Sequence, residues 1–261
     1  ACGDAKDPLQ KARRLYDFVC ETVPTEDGGG APAVTLAERA GPRLPLYAAL
    51  LSAAGVPWRP CFARPAEKFT TPERVGVVDF GSFSTGLVRV EPPGLPPVYV
   101  DAGLRFRPFG ELPYVLSDAA VFVGDRAGGF LDRTPAAPLA AATDMSRTFD
   151  LTLRADGVAV GTATLVFGPE ASAQLKERLA DADRSEYEPA LLRLLLDPLG
   201  RLSPKATAKA TVAGLGKDGG PLTVSAPIEL KKLLKESAGG GEIASPIAPL
   251  KYIQGRIPPS R

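Results

Sequence analysis

Residues 47–60 read YAALLSAAGVPWRP, an apolar helical pattern that runs directly into a strand-like segment. The spacing of the apolar residues predicts a helix over residues 45–54. Its buried face is predicted to contain Leu46, Ala49, Leu50 and Ala53. Gly55 is placed to end this helix, because glycine readily adopts the left-handed conformation found at helix C-termini. Residues 56–64 are then predicted to form a strand.

Helices precede strands throughout the N-terminal half of the sequence. Asp7 is predicted to cap a first helix, with Pro8 at its first position and Pro24 beyond its end. A short helical piece is predicted over residues 35–39. Further strands are predicted at residues 74–78, 85–90 and 98–101. Helices followed by antiparallel strands predict an α+β domain.

A second, smaller and β-rich α+β domain is predicted after a Pro- and Ala-rich linker at residues 134–142. The turn Ala155-Asp156-Gly157 between two alternating segments predicts a β-hairpin. The hairpin strands are predicted at residues 149–154 and 158–167. Two helices are predicted at residues 171–179 and 189–196. Two later strands are predicted at residues 206–212 and 221–226. These patterns divide the chain into domains at 1–135 and 145–238 and a Gly/Pro-rich tail at 239–261.

Composition excludes several classes of function. Hydrophobic residues make up 44% and charged residues 23% of the 261 residues, which is typical of a globular protein. No apolar run approaches the length of a membrane span, so we expect no direct membrane insertion. The formal net charge of +1 and the lack of a nucleic-acid motif argue against nucleic-acid binding. Because the sequence begins at Ala1 without a methionine, we expect a processed product or a fragment of a larger protein.

The chain lacks histidine, the commonest metal ligand and general base. Its three cysteines, Cys2, Cys20 and Cys61, form no C-x-x-C pair, so we predict no metal site, no cofactor and no disulfide framework. Cys20 and Cys61 are interpreted as small buried hydrophobic residues.

Four stretches, in order, resemble the transglutaminase-like superfamily, in the bacterial form found in large proteins with flanking domains of unknown function. They are residues 7–19, 47–60, 83–90 and 98–101, the last followed by FGELP at 109–113. The resemblance covers residues 7–135 and implies papain-like helices packed on an antiparallel sheet. By analogy with relatives that are exported, it favours the periplasm or cell envelope.

Catalysis in this family requires a cysteine at the start of the central helix, a histidine on a strand and an aspartate after the next strand. The position of the cysteine falls on Ala40 or Arg43, and that of the histidine falls on Thr85. Only Asp101 is retained. The resemblance therefore implies a catalytically inactive module, a pseudoenzyme, that serves as a binding or structural domain of a larger protein.

A groove between the central helix and the sheet is the predicted ligand site of such a module, and a protein or peptide is its predicted partner. Its candidate residues are Arg43, Tyr47, Trp58 and Thr85. The oligomeric state is left open.

The sequence also allows two other functions. One is a hydrolase that uses carboxylates such as Asp101, Asp79 or Glu111 as acid and base. The other is a purely structural spacer.

Two short motifs have simple structural interpretations. Residues 181–185 resemble the start of a calcium loop, but Glu186 replaces the required glycine, so a polar linker up to Pro189 is favoured. Arg105-Phe106-Arg107 has the chemistry to hold an anion, and a solvated strand face is favoured.

Overall fold

The structure is a computed structural model. It describes residues 2–3, 5–24, 26, 30–65, 80–125, 127–137, 145–180, 182–202, 204–216, 220–231, 234–237 and 240–243. The chain divides into two compact units. The first comprises Ala1–Asp144 and Pro169–Glu177, and the second comprises Met145–Gly168 and Arg178–Arg261. The sequence assigned residues 169–177 to the second domain, so their place in the first unit is a correction.

The described part of the first unit contains three helices before its sheet: α1 (Pro8–Thr22), α2 (Pro32–Glu38) and α3 (Arg43–Ala53). Asp7 caps α1 as predicted, and its carboxylate accepts the main-chain N–H groups of the next turn at 3.3 and 3.2 Å. Helix α2 begins three residues before the predicted piece and ends where Arg39 turns left-handed, with φ of 53°. Helix α3 begins two residues before Pro45, which occupies a position in the first turn where no helical N–H is needed.

The predicted buried face of α3 is partly wrong. Leu46 is buried as expected, but Ala49 and Ala53 are exposed. The other buried side chains of the helix are Arg43, Tyr47 and Leu51. The face is therefore rotated toward the larger side chains, because burying a tyrosine or leucine removes more apolar surface from water than burying an alanine.

Five antiparallel strands form the described sheet of the first unit, in the order β3-β2-β1-β4-β5. They are β1 (Trp58–Ala63), β2 (Thr85–Val90), β3 (Val98–Val100), β4 (Ala120–Asp125) and β5 (Gly128–Arg133). Strand β2 has the predicted bounds. The β4–β5 hairpin was not predicted, because the exposed edge strand β5 begins with two glycines and lacks an alternating pattern. The strand predicted at 74–78 lies outside the described residues.

The two faces of this sheet have separate apolar clusters. Val88, Val90 and Val100 pack with residues of α1 and α3 on one face. Cys61, Leu87, Tyr99, Val121 and Val123 cluster with Leu116 on the other. The predicted linker begins inside this unit, since Thr134 is buried and accepts the Ala119 N–H at 2.9 Å. Residues 138–142 of that linker lie outside the described residues.

The second unit has its own antiparallel sheet with the path β6-β7-β10-β8. Its strands are β6 (Met145–Leu153), β7 (Ala159–Phe167), β8 (Pro204–Ala206), β9 (Thr211–Ala213) and β10 (Thr223–Leu230). The β6–β7 hairpin forms as predicted, and Gly157 supplies the positive φ of 78° that its turn requires. The single strand predicted at 206–212 is instead two short strands, β8 and β9, which both pair with β10.

Helices α4 (Pro169–Leu179) and α5 (Arg184–Leu196) also differ from the prediction. Helix α5 begins five residues before Pro189 and contains it, and Asp183 caps the helix by accepting the Ser185 N–H at 2.8 Å. The polar linker predicted up to Pro189 is therefore wrong. Strands β11 (Leu234–Ser237) and β12 (Gly240–Ile243) pair with each other, so Gly240 and Gly241 are not part of an extended tail. None of the described helices has the length and apolar content to cross a membrane.

Candidate functional site

The start of α3 is built around the guanidinium of Arg43, which is 1% exposed. Its Nε donates to one main-chain carbonyl at 2.8 Å, and Nη1 and Nη2 donate to three more at 2.9 to 3.4 Å. Those carbonyls belong to Val23, Pro24, Ala102 and Gly103. Nη2 also forms an ion pair with Glu177 Oε1 at 3.0 Å. Arg43 therefore ties the end of α1 and the loop after β3 to the start of α3.

Glu26 lies at the first turn of the same helix. Its Oε1 accepts the main-chain N–H of Arg43 at 3.3 Å, which supplies one of the partners that a helix N-terminus lacks. Burial raises the pKa of Glu26, the Arg43 charge opposes this, and Asp101 and Glu177 raise the pKa further. A carboxylate thus lies at the start of α3.

Asp101, directly after β3, is bound on both oxygens. Its Oδ1 accepts the Gly103 N–H at 2.9 Å, and its Oδ2 pairs with Arg107 Nη1. The guanidinium of Arg107 continues to Glu170, whose two oxygens each lie 3.0 Å from Nη2. The main-chain oxygen of Arg107 accepts the Tyr16 hydroxyl at 2.7 Å. Asp101 therefore orients an arginine.

Glu177 joins the two halves of this network. Besides pairing with Arg43, its carboxylate accepts the Nε and the main-chain N–H of Arg105 at 3.0 and 2.9 Å. We call the whole set the ionic cluster, and it comprises Arg43, Arg105, Arg107, Glu26, Asp101, Glu170 and Glu177. Every member lies in the first unit.

The sequence interpretation of residues 105–107 as a solvated strand face is wrong, because the two arginines bind carboxylates of the helix segment Pro169–Glu177. Sequence reasoning missed Glu170 and Glu177 altogether. Their separation of seven residues was the available signal, since residues seven apart lie on one face of a helix.

The four residues predicted to border a groove do not form one. Tyr47 is fully buried, and its hydroxyl donates to the Ala12 carbonyl at 3.1 Å. Arg43 is equally interior. Trp58 is the first residue of β1, whereas Thr85 on β2 pairs with Ala63, the last residue of β1. At the usual rise per residue the length of β1 separates Trp58 from Thr85 by roughly 17 Å.

The structure does bring the start of β2 close to the start of α3. A Cβ built on Gly86, the neighbour of Thr85, would lie 3.3 Å from a methyl group of Leu44. Ala40, the other candidate for the nucleophile position, lies between α2 and α3 and is partly exposed. Ala40 and Arg43 carry neither a thiol nor a hydroxyl group, and the hydroxyl of Thr85 cannot act as a base at neutral pH.

A cavity of about 240 Å³ opens within the first unit, beside the ionic cluster. Its lining residues are Arg107, Glu111, Leu112, Tyr114, Ala137, Pro169 and Glu170. Of the carboxylates predicted as acid or base, Glu111 lines the cavity, Asp101 does not, and Asp79 lies outside the described residues. The second carboxylate of the cavity, Glu170, has both oxygens bound by Arg107.

The surroundings of Cys61 do not favour its thiolate form. Burial raises the pKa of Cys61 to about 12, an effect that the charge of Arg89 only partly offsets. Cys20 is buried in the helical core and Cys2 is partly exposed, and all three cysteines are free thiols. Within the described parts of the chain, no group of three or more His, Cys, Asp or Glu side chains is arranged to hold a metal ion.

Comparison with protein-family models, with curated proteins and with solved structures gives no match to this chain. The function proposed below therefore rests on the residues of the chain itself.

Proposed function

We propose that the chain is a catalytically inactive, transglutaminase-like module with a structural role in a larger bacterial protein. The observation that carries the proposal is the buried guanidinium of Arg43 at the start of α3, with its donors committed to four carbonyls and Glu177. A thiol nucleophile needs a partly exposed position with a nearby base or cation to stabilise the thiolate. This helix start carries a structural arginine in that place.

The arrangement of the elements supports the resemblance stated from the sequence. Helix α3 leads into three antiparallel strands, β1, β2 and β3, with Thr85 opening β2 and Asp101 directly following β3. The start of β2 lies beside the start of α3, as the contact between Gly86 and Leu44 indicates. The resemblance assigns the family's cysteine, histidine and aspartate to these three places.

The structural role is supported by what the ionic cluster holds. Glu170 and Glu177 attach the segment Pro169–Glu177 to the first unit, although the chain has by then left that unit and completed the β6–β7 hairpin. Glu177 forms a salt bridge with Arg43, and Glu170 forms one with Arg107. Both arginines are buried, and the two bridges anchor the segment at its two ends. Charged groups of this kind are costly to separate once they are buried together.

A carboxylate hydrolase has less support than the structural module. Such an enzyme needs one carboxyl group to donate a proton and a second to act as base or nucleophile on the same substrate. In the cavity Glu111 is available, but both oxygens of Glu170 hold the guanidinium of Arg107. Asp101 is engaged by Arg107 and Gly103.

Hydrogen exchange together with an activity assay tests the proposal. We expect the amides of residues 169–177 to be protected in the intact chain, and Arg107→Gln to raise their exchange rates at least tenfold. Arg154→Gln, an exposed arginine in the β6–β7 turn, is the matched control and should leave those rates unchanged.

In the same preparation we expect no acyl transfer from a glutamine peptide to an amine and no hydrolysis of glycosides. Turnover that disappears in Asp101→Asn would overturn the assignment of an inactive module. Rapid exchange across 169–177 in the unaltered chain would overturn the structural role.

A further inference from the structure

We propose that the cavity beside the ionic cluster binds a primary ammonium group on an aliphatic stem, as carried by a lysine side chain or a free alkylamine. This inference goes beyond the proposed function, since it concerns the shape and charge of a cavity that Ala40, Arg43, Thr85 and Asp101 do not line.

The size of the cavity favours a group no larger than a side chain. Its volume of about 240 Å³ is smaller than the roughly 300–1,000 Å³ of pockets that hold drug-sized ligands. Three of its walls, Leu112, Ala137 and Pro169, are aliphatic. Apolar walls leading to a charged end suit a side chain with a methylene stem and a polar head, because the stem is desolvated while the head stays paired.

The charged side chains that line the cavity include more carboxylates than cations. The guanidinium of Arg107 is bound to the carboxylates of Asp101 and Glu170, and Glu111 is a further carboxylate in the lining of the cavity. None of the described residues forms an ion pair or a side-chain hydrogen bond with Glu111. The cavity therefore offers a cation one uncommitted carboxylate, next to a second that already shares its charge with an arginine.

Tyr114 adds an aromatic wall. Its side chain is 43% exposed and opens the short turn Tyr114–Leu116 at the mouth of the cavity. An ammonium group close to the face of a tyrosine ring is attracted by the ring quadrupole, by roughly 0.5–1 kcal/mol at an exposed site. Anions are disfavoured in the same place, because they would meet the excess carboxylate charge.

Chemical-shift titration of the ¹⁵N-labelled full chain at low ionic strength tests the inference. The probes are n-butylammonium chloride, N-acetyl-lysine-N-methylamide and, as the matched anion, sodium butyrate. We expect both amines to shift the amides of residues 107–114 and 169–170, with a millimolar dissociation constant that rises as salt screens the charges. Butyrate should produce no such shifts.

Two variants and one control make the result decisive. Glu111→Gln should weaken amine binding about tenfold, which corresponds to about 1.4 kcal/mol. Tyr114→Ala should weaken it several-fold. Glu38→Gln changes the net charge equally on the exposed side of α2 and should leave binding unchanged. Because Glu111 and Tyr114 are exposed, both variants are expected to remain folded.

The lysine derivative and the simple amine separate the two sources of the ligand. Tighter binding of the lysine derivative assigns the cavity to a lysine in a peptide, whereas equal binding assigns it to free amines. The inference is overturned if the amines cause no shifts at these amides, if Glu111→Gln binds them as well as the unaltered chain does, or if butyrate binds equally.

Discussion

Replacing Arg43 by methionine is the sharpest test of how the first unit is held together. The substitution keeps a long apolar stem but removes the guanidinium, so the carbonyl partners lose their donor and Glu177 keeps only its bonds to Arg105. Removing one member of a buried ion pair usually costs about 3–5 kcal/mol, because the remaining charge stays partly desolvated. Glu177 is 20% exposed, and water therefore compensates for part of the loss. We expect the free energy of unfolding to fall by about 3 kcal/mol.

Urea unfolding at pH 7, followed by tryptophan fluorescence, measures this loss in the right unit. Trp58 in β1 is the one tryptophan of the chain, so the signal reports on the first unit. Glu177→Gln keeps an acceptor but removes the charge, and should cost about 1 kcal/mol. A loss below 1 kcal/mol in Arg43→Met would refute the structural role assigned to this arginine. If Arg43→Met does not fold, Arg43→Lys, which keeps the charge but loses the planar fork, should show an intermediate loss.

Three further outcomes are expected. Brief treatment with iodoacetamide at pH 8 should alkylate Cys2 but not Cys61, whose pKa near 12 keeps it protonated; rapid Cys61 labelling in the folded chain, seen by peptide mass spectrometry, would contradict this. Asp7→Ala should lower the free energy of unfolding by about 1 kcal/mol through loss of the α1 cap, and an unchanged urea midpoint would argue against it. Gly161→Ala should disrupt the β6–β7 hairpin and change the circular dichroism spectrum, since the added Cβ would lie 1.8 Å from a main-chain oxygen of β6. The added Cβ of the control Gly216→Ala would meet no atom within 4 Å, so its spectrum should match that of the unaltered chain.

Local signals predicted most of the regular structure. The Asp7 cap, the strand β2 and the β6–β7 hairpin follow from residues that lie next to one another in the chain, and each forms as expected. Errors concentrate where tertiary contacts outweigh local preference. Helix α5 passes through Pro189 because its Asp183 cap and the burial of Leu191 and Leu195 favour the longer helix.

The candidate site was predicted only in part for a similar reason. Arg43, Thr85 and Asp101 were identified by their order along the chain, and the structure brings the elements that carry them together. The predicted groove failed because sequence shows that Tyr47 is on the helix but not which direction it faces. Glu177 and Glu170, which bind Arg105 and Arg107, lie more than sixty residues away from them, beyond the reach of any local pattern.

The sequence by itself determined that the chain has no histidine and that no thiol stands at the start of the central helix, because these are matters of composition and order. It also determined the α+β class, since helical and strand periodicities are local. Only the tertiary structure decided what stands at that helix start: Arg43 bound to Glu177, and Asp101 bound to Arg107. The ion pairs of Arg43 with Glu177 and of Arg107 with Glu170 join residues far apart in the chain, and the return of Pro169–Glu177 to the first unit is what brings these charges together.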